Sequence, residues 1–195
     1  MQYPTDPSAF PRPATRRGFL KRVAAAGALG AIGSKAFAAL PGPVTTPAPV
    51  RELGFLNLHT GEKLRVPYWE NGRYLQDALA EINHVLRDHR ANAVHAIDTA
   101  LLDLLARLQK TVGNSRAFEV ISGYRAPSSN EMLRARSSGV AQGSMHLQGK
   151  AIDIRLPGSD LLTLHKAAVS LKGGGVGLYR GSNFIHVDTG RVRYW

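Results

Sequence analysis

Two short segments of this 195-residue sequence carry histidine and aspartate at positions that suit a metal site. Ser144–Asp153 contains His146 and Asp153, and Phe184–Asp188 contains His186. Two imidazoles and one carboxylate form a three-ligand set for Zn²⁺ that leaves a fourth tetrahedral position open for water or substrate. An open position is typical of a catalytic zinc site, so the sequence predicts metal-dependent chemistry.

The segments around these residues alternate between apolar and polar side chains, as half-buried strands do. If the apolar faces of 151–156 and 184–188 pack on the same core, Asp153 and His186 project from the same side of one sheet. His146 lies seven residues before Asp153, across a turn that a glycine permits, and can fold back to complete the site. Each residue alone suits a structural role, but three polar groups together on a sheet face need compensating partners.

The remaining patterns predict the elements that position these strands. Apolar residues recur at helical spacing from Tyr74 to about Arg90, and again in a second helix that stops before Gly113. Further strands are predicted at 53–58, 63–68 and 118–121, and further helical stretches at 130–136 and 161–171. Helices first and pairing strands later favour an α+β domain in which helices pack on an antiparallel sheet.

The first forty residues have the order of an export signal. A charged stretch with paired Arg16 and Arg17 precedes a weakly apolar run and the small residues at 36–38, and it resembles a twin-arginine signal. We predict a signal peptide over 1–38, a proline-rich linker over 39–50 and a catalytic domain over 51–195. The apolar run is about half of the ~20 residues that span a bilayer, so no stable membrane span is expected after cleavage. An uncleaved membrane anchor is the alternative, and cleavage would place the mature protein in a periplasm.

The charge and the cysteine content narrow the function classes. The formal charge is +11; residues 1–38 supply +5, which leaves +6 for 39–195. These basic residues are scattered and no aromatic-interleaved basic motif is present, so nucleic-acid binding is not expected. A basic surface suits an anionic polymer such as a cell wall. Cysteine is absent, which excludes disulfides and any cysteine-based zinc or redox site.

The motif Ser144-x-His146-x-x-Gly149-x-Ala151-x-Asp153 resembles the M15 family of zinc peptidases, and within it the murein endopeptidase K group. A preceding Ser-Gly-Tyr-Arg segment at 122–125 and the following His186 extend the resemblance over about 51–195. It implies a hedgehog/DD-peptidase-like fold, Zn²⁺ bound by the two histidines and Asp153, and hydrolysis of peptide cross-links in peptidoglycan stem peptides.

The resemblance also implies that Arg125 faces the substrate. Its guanidinium would bind a carboxylate of the stem peptide or stabilise the oxyanion, and a structural ion pair is the alternative. Many M15 enzymes place a catalytic acid three positions before the last histidine or another histidine two before it, where this sequence has Asn183 and Phe184. Asp188 shares the predicted strand face of His186, and it orients that imidazole, activates the metal-bound water, or is itself a ligand.

Two other functions suit the same residues. A carboxypeptidase that removes a terminal D-alanine would use the same metal site. A zinc-containing module that binds the wall without cleaving it would explain the missing base.

Overall fold

The computed structural model describes residues 49–136 and 141–195. The predicted signal over 1–38 lies outside the described residues, as does the predicted linker over 39–50 except for its last two residues. Val50 already belongs to the first strand, which therefore begins one residue before the predicted domain boundary. Within the described part of the chain, no helix combines the length and the apolar character needed to span a bilayer.

The described residues form eight strands and four α-helices. The strands are β1 (Val50–Asn57), β2 (Lys63–Glu70), β3 (Arg73–Tyr74), β4 (Phe118–Ser122), β5 (Ala151–Arg155), β6 (Gly175–Tyr179), β7 (Phe184–Asp188) and β8 (Arg193–Tyr194). The helices are α1 (Gln76–Val85), α2 (Thr99–Val112), α3 (Pro127–Arg136) and α4 (Leu161–Leu171), with a 3₁₀ helix at Met145–Gln148. The predicted strands and helices are confirmed, although α1 is shorter than its pattern and α3 begins earlier.

One sheet contains all eight strands in the order β3-β2-β1-β4-β5-β7-β6-β8. The α+β class is confirmed, but the prediction of an antiparallel sheet is wrong at two places. β4 runs parallel to β1 because α1 and α2 lie between them in the chain, and a helical crossover brings the chain back in the same direction. β8 runs parallel to β6 because the chain crosses to the outer edge after the β6–β7 pair.

The apolar core lies on one face of the sheet. Helices α1, α2 and α4 pack against the strands, and the alternating apolar residues of β5 and β7 point toward them. Asp98 is the N-cap of α2, and its side chain accepts from the Ala100 N–H over 2.9 Å. Gly113 is the C-cap and adopts the left-handed conformation. Because the apolar residues face the helices, the polar residues of β5 and β7 project from the opposite face.

Asp103 of α2 joins the helix layer to the first strands. Its Oδ1 accepts from Arg51 Nη1 over 2.7 Å and from Tyr68 OH over 2.9 Å, and its Oδ2 accepts from Tyr74 OH over 2.9 Å. Burial alone would raise the pKa of Asp103, but these donors outweigh it and lower the pKa. The carboxylate is therefore the form that stabilises the fold.

We predict that Asp103→Asn lowers the free energy of unfolding by about 1–3 kcal/mol at pH 7, since Arg51, Tyr68 and Tyr74 lose a charged acceptor. The pKa of Asp103 in the folded protein lies below its unfolded value near 3.9. The carboxylate therefore contributes its full stability at a pH above the unfolded pKa and loses it as the pH falls through the folded pKa. Urea unfolding at pH 7 and at pH 3 measures both effects. Glu81→Gln, at an exposed position, is the control. If the difference in free energy of unfolding between wild type and Asp103→Asn were as large at pH 3 as at pH 7, the role assigned to the Asp103 carboxylate would be wrong.

Candidate active site

The pairing of β5 with β7 places Asp153 directly opposite His186. Both side chains project from the face away from the helices, and their residues are only 7% and 8% exposed. Asp153 Oδ1 lies 2.9 Å from His186 Nδ1. The strand register therefore sets two of the three predicted ligands in contact.

His146 reaches these two residues from the 3₁₀ helix that precedes β5. The Ser144 side chain caps this helix by accepting from the His146 N–H, and Gly149 ends it with φ of 64°. A side chain at Gly149 would be strained at that angle and would meet the Ala96 carbonyl. His146 Nε2 lies 3.3 Å from Asp153 Oδ1 and 3.2 Å from His186 Nδ1.

The outer nitrogen of each imidazole faces an acceptor, which identifies the inner nitrogen as the one with the lone pair. His146 Nδ1 lies 2.7 Å from the Gly123 carbonyl oxygen, and His186 Nε2 lies 2.9 Å from Asp188 Oδ2. Both outer nitrogens must donate, so both inner nitrogens of the neutral rings are acceptors. With Asp153, three ligand atoms that all accept lie within 4.8 Å of one another. This donor set fits a divalent cation, which would neutralise the mutual repulsion of the lone pairs.

The charges of the site favour the ionised form of its carboxylate. Burial alone would raise the pKa of Asp153, but His146 and His186 hold it well below its usual range. Burial alone would lower the pKa of His186, but hydrogen bonds and charges from Asp153 and Asp188 outweigh burial and raise it. Asp153 is thus ready to bind a cation as a carboxylate.

Asp188 lies on the far side of the His186 ring from Asp153 and is fully buried. Its Oδ1 accepts from the N–H groups of Gly175 and Gly190 over 3.0 and 2.8 Å, and Arg193 Nη2 donates to its Oδ2 over 2.7 Å. These donors and His186 hold the pKa of Asp188 well below its usual range, although burial alone would raise it. Sequence reasoning missed Arg193, because a strand of two residues has no periodicity that would reveal it.

Arg125 borders the other side of the site. Its Nη2 lies 3.8 Å from Asp153 Oδ2, and its Nη1 donates to Asn130 Oδ1 over 3.3 Å. Its buried Nε has no hydrogen-bond partner in the described part of the chain. Burial is the main cause that lowers the pKa of this guanidinium. The Ala126 N–H donates to buried Asp88 over 2.8 Å, which anchors the loop that carries Arg125.

The ligands open into a cavity of about 460 Å³. Asp153 is the only acidic residue among the described residues that line it, and Tyr179, Phe184 and Trp195 form part of its wall. Asn183 lies in the turn before β7 with φ of 53°. A larger cavity of about 750 Å³ lies near Arg51 and α2, where no group of three metal-binding side chains is found among the described residues.

Residues 45–195 match the peptidase M15 family described as peptidoglycan L,D-endopeptidase MepK. The chain belongs to this family. It is 46% identical over 162 residues to the peptidoglycan L,D-endopeptidase MepK of Escherichia coli (strain K12), a match that covers 81% of this chain and 88% of the relative. It is 44% identical over 153 residues to a probable peptidoglycan L,D-endopeptidase MepK of Haemophilus influenzae, which covers 78% of this chain and 82% of the relative. No solved structure matches this chain.

Family membership makes the chain a peptidase and a hydrolase, as its motifs predicted. Family membership also agrees with the geometry of the site. M15 peptidases are metalloenzymes, and the described residues contain one buried cluster of side chains able to hold a metal, that of His146, Asp153 and His186. The predicted resemblance to the murein endopeptidase K group is confirmed.

We predict that His146→Ala abolishes stoichiometric metal binding, since it leaves two of three protein ligands. Metal analysis of the purified protein after dialysis should show about one equivalent per chain in the wild type and a small fraction of that in the variant. His84→Ala removes an exposed imidazole of α1 and is the matched control. Full metal content in His146→Ala would exclude this residue as a ligand.

Proposed function

We propose that this protein is a zinc-dependent L,D-endopeptidase that hydrolyses peptide cross-links of peptidoglycan. The convergence of three accepting ligand atoms at the base of an open cavity is the observation that carries the proposal. The names of the relatives supply the substrate and the stereochemistry of the bond. We also propose that the mixed sheet and its helices belong to the hedgehog/DD-peptidase-like fold.

Zinc is the metal that we propose, held by His146 Nε2, Asp153 Oδ1 and His186 Nδ1. A site of two imidazoles and one carboxylate without cysteine is a common catalytic zinc set. Bound zinc would supply a polarising charge and would lower the pKa of a coordinated water toward about 7. The chain's own contribution is to fix the ligand atoms, which the hydrogen bonds of the outer ring nitrogens accomplish.

We assign Arg125 the role of holding a substrate carboxylate or the developing oxyanion. Its Nη2 is 3.8 Å from Asp153 Oδ2, beyond hydrogen-bond distance, and its Nη atoms donate only long hydrogen bonds, to Ser122 over 3.4 Å and to Asn130 over 3.3 Å. The guanidinium therefore has donor capacity left for a ligand. A planar guanidinium suits such a group because it donates two parallel hydrogen bonds to a carboxylate.

We assign Asp188 a positioning role rather than that of general base. It is fully buried, and donors from His186, Arg193 and two backbone amides occupy its oxygens. A general base must lie within hydrogen-bond reach of the proton it takes. The His186 ring stands between Asp188 and the other ligand atoms, so Asp188 acts by holding that ring with Nδ1 toward the metal.

We predict that Asp188→Asn weakens zinc binding by about 10–100-fold, the effect typical of a lost acceptor behind a ligand imidazole. Excess zinc should then restore most of the turnover number. Competition with a chromophoric chelator measures the affinity, and the rate at saturating zinc measures the catalytic step. A drop in kcat of about 10²–10⁴-fold that zinc does not restore would instead identify Asp188 as the general base.

We propose that residues 1–38 direct export by the twin-arginine pathway and that the mature protein acts in the periplasm. The paired Arg16 and Arg17 before a weakly apolar run support this assignment. Peptidoglycan, the substrate in the relatives' names, lies outside the cytoplasmic membrane, in agreement with export.

We predict that the zinc-loaded protein converts purified cross-linked muropeptide dimers into monomers when the link joins an L to a D centre. Mass analysis of the products separates the candidate functions, with His146→Ala as the inactive control. Release of only a terminal D-alanine would identify a carboxypeptidase. Binding to insoluble peptidoglycan without new amino termini would identify a non-catalytic wall-binding module.

A further inference from the structure

Strand β8 reaches the metal site across two glycines of its neighbour β6. The register pairs Gly175 with Arg193, and Gly177 of β6 lies opposite His186 of β7. A Cβ at Gly175 would lie 2.5 Å from Asp188 Oδ2 and would also meet the Arg193 guanidinium. The missing side chain therefore lets Arg193 cross β6 and bind Asp188.

Trp195 uses the second glycine in the same way. A Cβ at Gly177 would lie 2.5 Å from Trp195 Cε2, so the indole lies directly over Gly177. Its ring centroid is 5.3 Å from that of His186. Trp195, which directly follows β8, thus places an aromatic side chain beside a metal ligand.

Four contacts hold the indole of Trp195 in place. Its backbone continues the β6 pairing, because the Leu178 N–H donates to the Trp195 carbonyl over 2.9 Å and the Trp195 N–H donates to the Val176 carbonyl over 3.3 Å. The indole Nε1 donates to Tyr179 OH over 3.0 Å, and the Arg193 guanidinium lies 5.0 Å from the ring centroid. These contacts already order the indole ring, so a ligand that binds against it loses little side-chain entropy.

Trp195 is nevertheless 49% exposed, and it lines the metal cavity together with Tyr179 and Phe184. The last two rings stack with centroids 4.6 Å apart, so the three residues form a continuous aromatic wall. Arg125 lines the same cavity. An aromatic surface that is rigid yet open to solvent is typical of a binding site.

We propose that the aromatic wall of Tyr179, Phe184 and Trp195 is a specificity subsite for the hydrocarbon side chain of the cross-linking diamino acid, while Arg125 holds a carboxylate of the same peptide. This inference rests on the proposed endopeptidase function. A cross-link between two stem peptides requires a residue with a second amino group, and the methylenes that carry this group suit an aromatic surface.

The distance to the metal site favours a peptide side chain over a sugar ring. Trp195 lies beside His186, so a ligand on the wall is the residue adjacent to the scissile bond. The glycan is joined to the cross-link through several residues, each of which spans about 3.3–3.6 Å when extended. A sugar would therefore lie well beyond the wall when the cross-link is at the metal.

The test compares Trp195→Ala and Trp195→Phe with Tyr194→Ala in the full zinc-loaded protein. Tyr194 is a matched control because it is 47% exposed and adjacent, while its hydroxyl donates to the Val169 carbonyl, outside the cavity. With a soluble cross-linked peptide we expect KM to rise about tenfold in Trp195→Ala with kcat nearly unchanged. Trp195→Phe should recover most of the loss, and Tyr194→Ala should match the wild type. A peptide with alanine in place of the diamino acid should bind wild type and Trp195→Ala equally.

Binding is also measured without turnover, using an analogue whose scissile amide is replaced by a methylene-amine. In a Trp69→Phe background, Trp195 is the only tryptophan of the sequence, and its fluorescence should change on titration with the analogue. Binding of the analogue at Trp195 by a protein that cleaves no dimer would contradict the endopeptidase function and leave the wall as a peptide subsite. If Trp195→Ala cleaved dimers normally and with an unchanged KM, the aromatic wall would not be a subsite, and the endopeptidase function would be unaffected.

Two other results would also overturn the proposal. Loss of zinc from Trp195→Ala, with normal KM after zinc is restored, would make Trp195 a support for His186 only. Weaker binding to intact peptidoglycan with unchanged kinetics on soluble peptides would make the wall a glycan site.

Discussion

The site depends on one cross-strand contact, that of Asp153 with His186. Residues opposite each other on antiparallel strands are close enough for their side chains to touch, and this holds only in one register. A shift of one residue in β7 would turn His186 into the core and bring Val187 to the site. The alternating apolar residues that pack under α4 and α2 prevent such a shift, so the hydrophobic core determines the geometry of the metal ligands.

The orientation of the ligands depends on acceptors that come from other parts of the fold. Gly123, after β4, accepts from His146, and Asp188, two residues along β7, accepts from His186. Burying the Asp188 carboxylate costs free energy, which Arg193 and two amide donors offset. Such a buried ion pair adds little net stability, and its consequence here is a single orientation of the His186 ring. The last strand of the described chain is thereby part of the metal site.

Sequence patterns predicted the ligand strands because alternation and burial agree there. β7 has the predicted bounds, and β5 ends one residue before its predicted end, since each apolar residue on the core face fixes the face of its neighbours. The same reasoning cannot find β8, which has two residues and no periodicity. Its pairing with β6 is non-local and depends on the absence of side chains at Gly175 and Gly177. The parallel β1–β4 pair was missed because pattern alone does not give strand direction.

The cavity also departs from the arrangement that the family resemblance implied for proton transfer. At the positions where many family members carry an acid or a histidine, this chain has Asn183 and Phe184, and Phe184 stacks on Tyr179 instead of presenting a proton acceptor. Around the ligands, Arg193 is paired with Asp188, and Arg125 lies 3.8 Å from Asp153, so the two guanidinium charges are balanced by two carboxylates. A divalent cation on the ligands would give the site an excess of positive charge, and a low dielectric would strengthen its effect on a ligand. With the roles proposed for Arg125 and the aromatic wall, a peptide with a free carboxylate would be favoured electrostatically over a neutral one, and the wall would add selectivity for its apolar part. On this proposal, charge and apolar contact would select the substrate in a cavity where Phe184 occupies a position that many family members use for proton transfer.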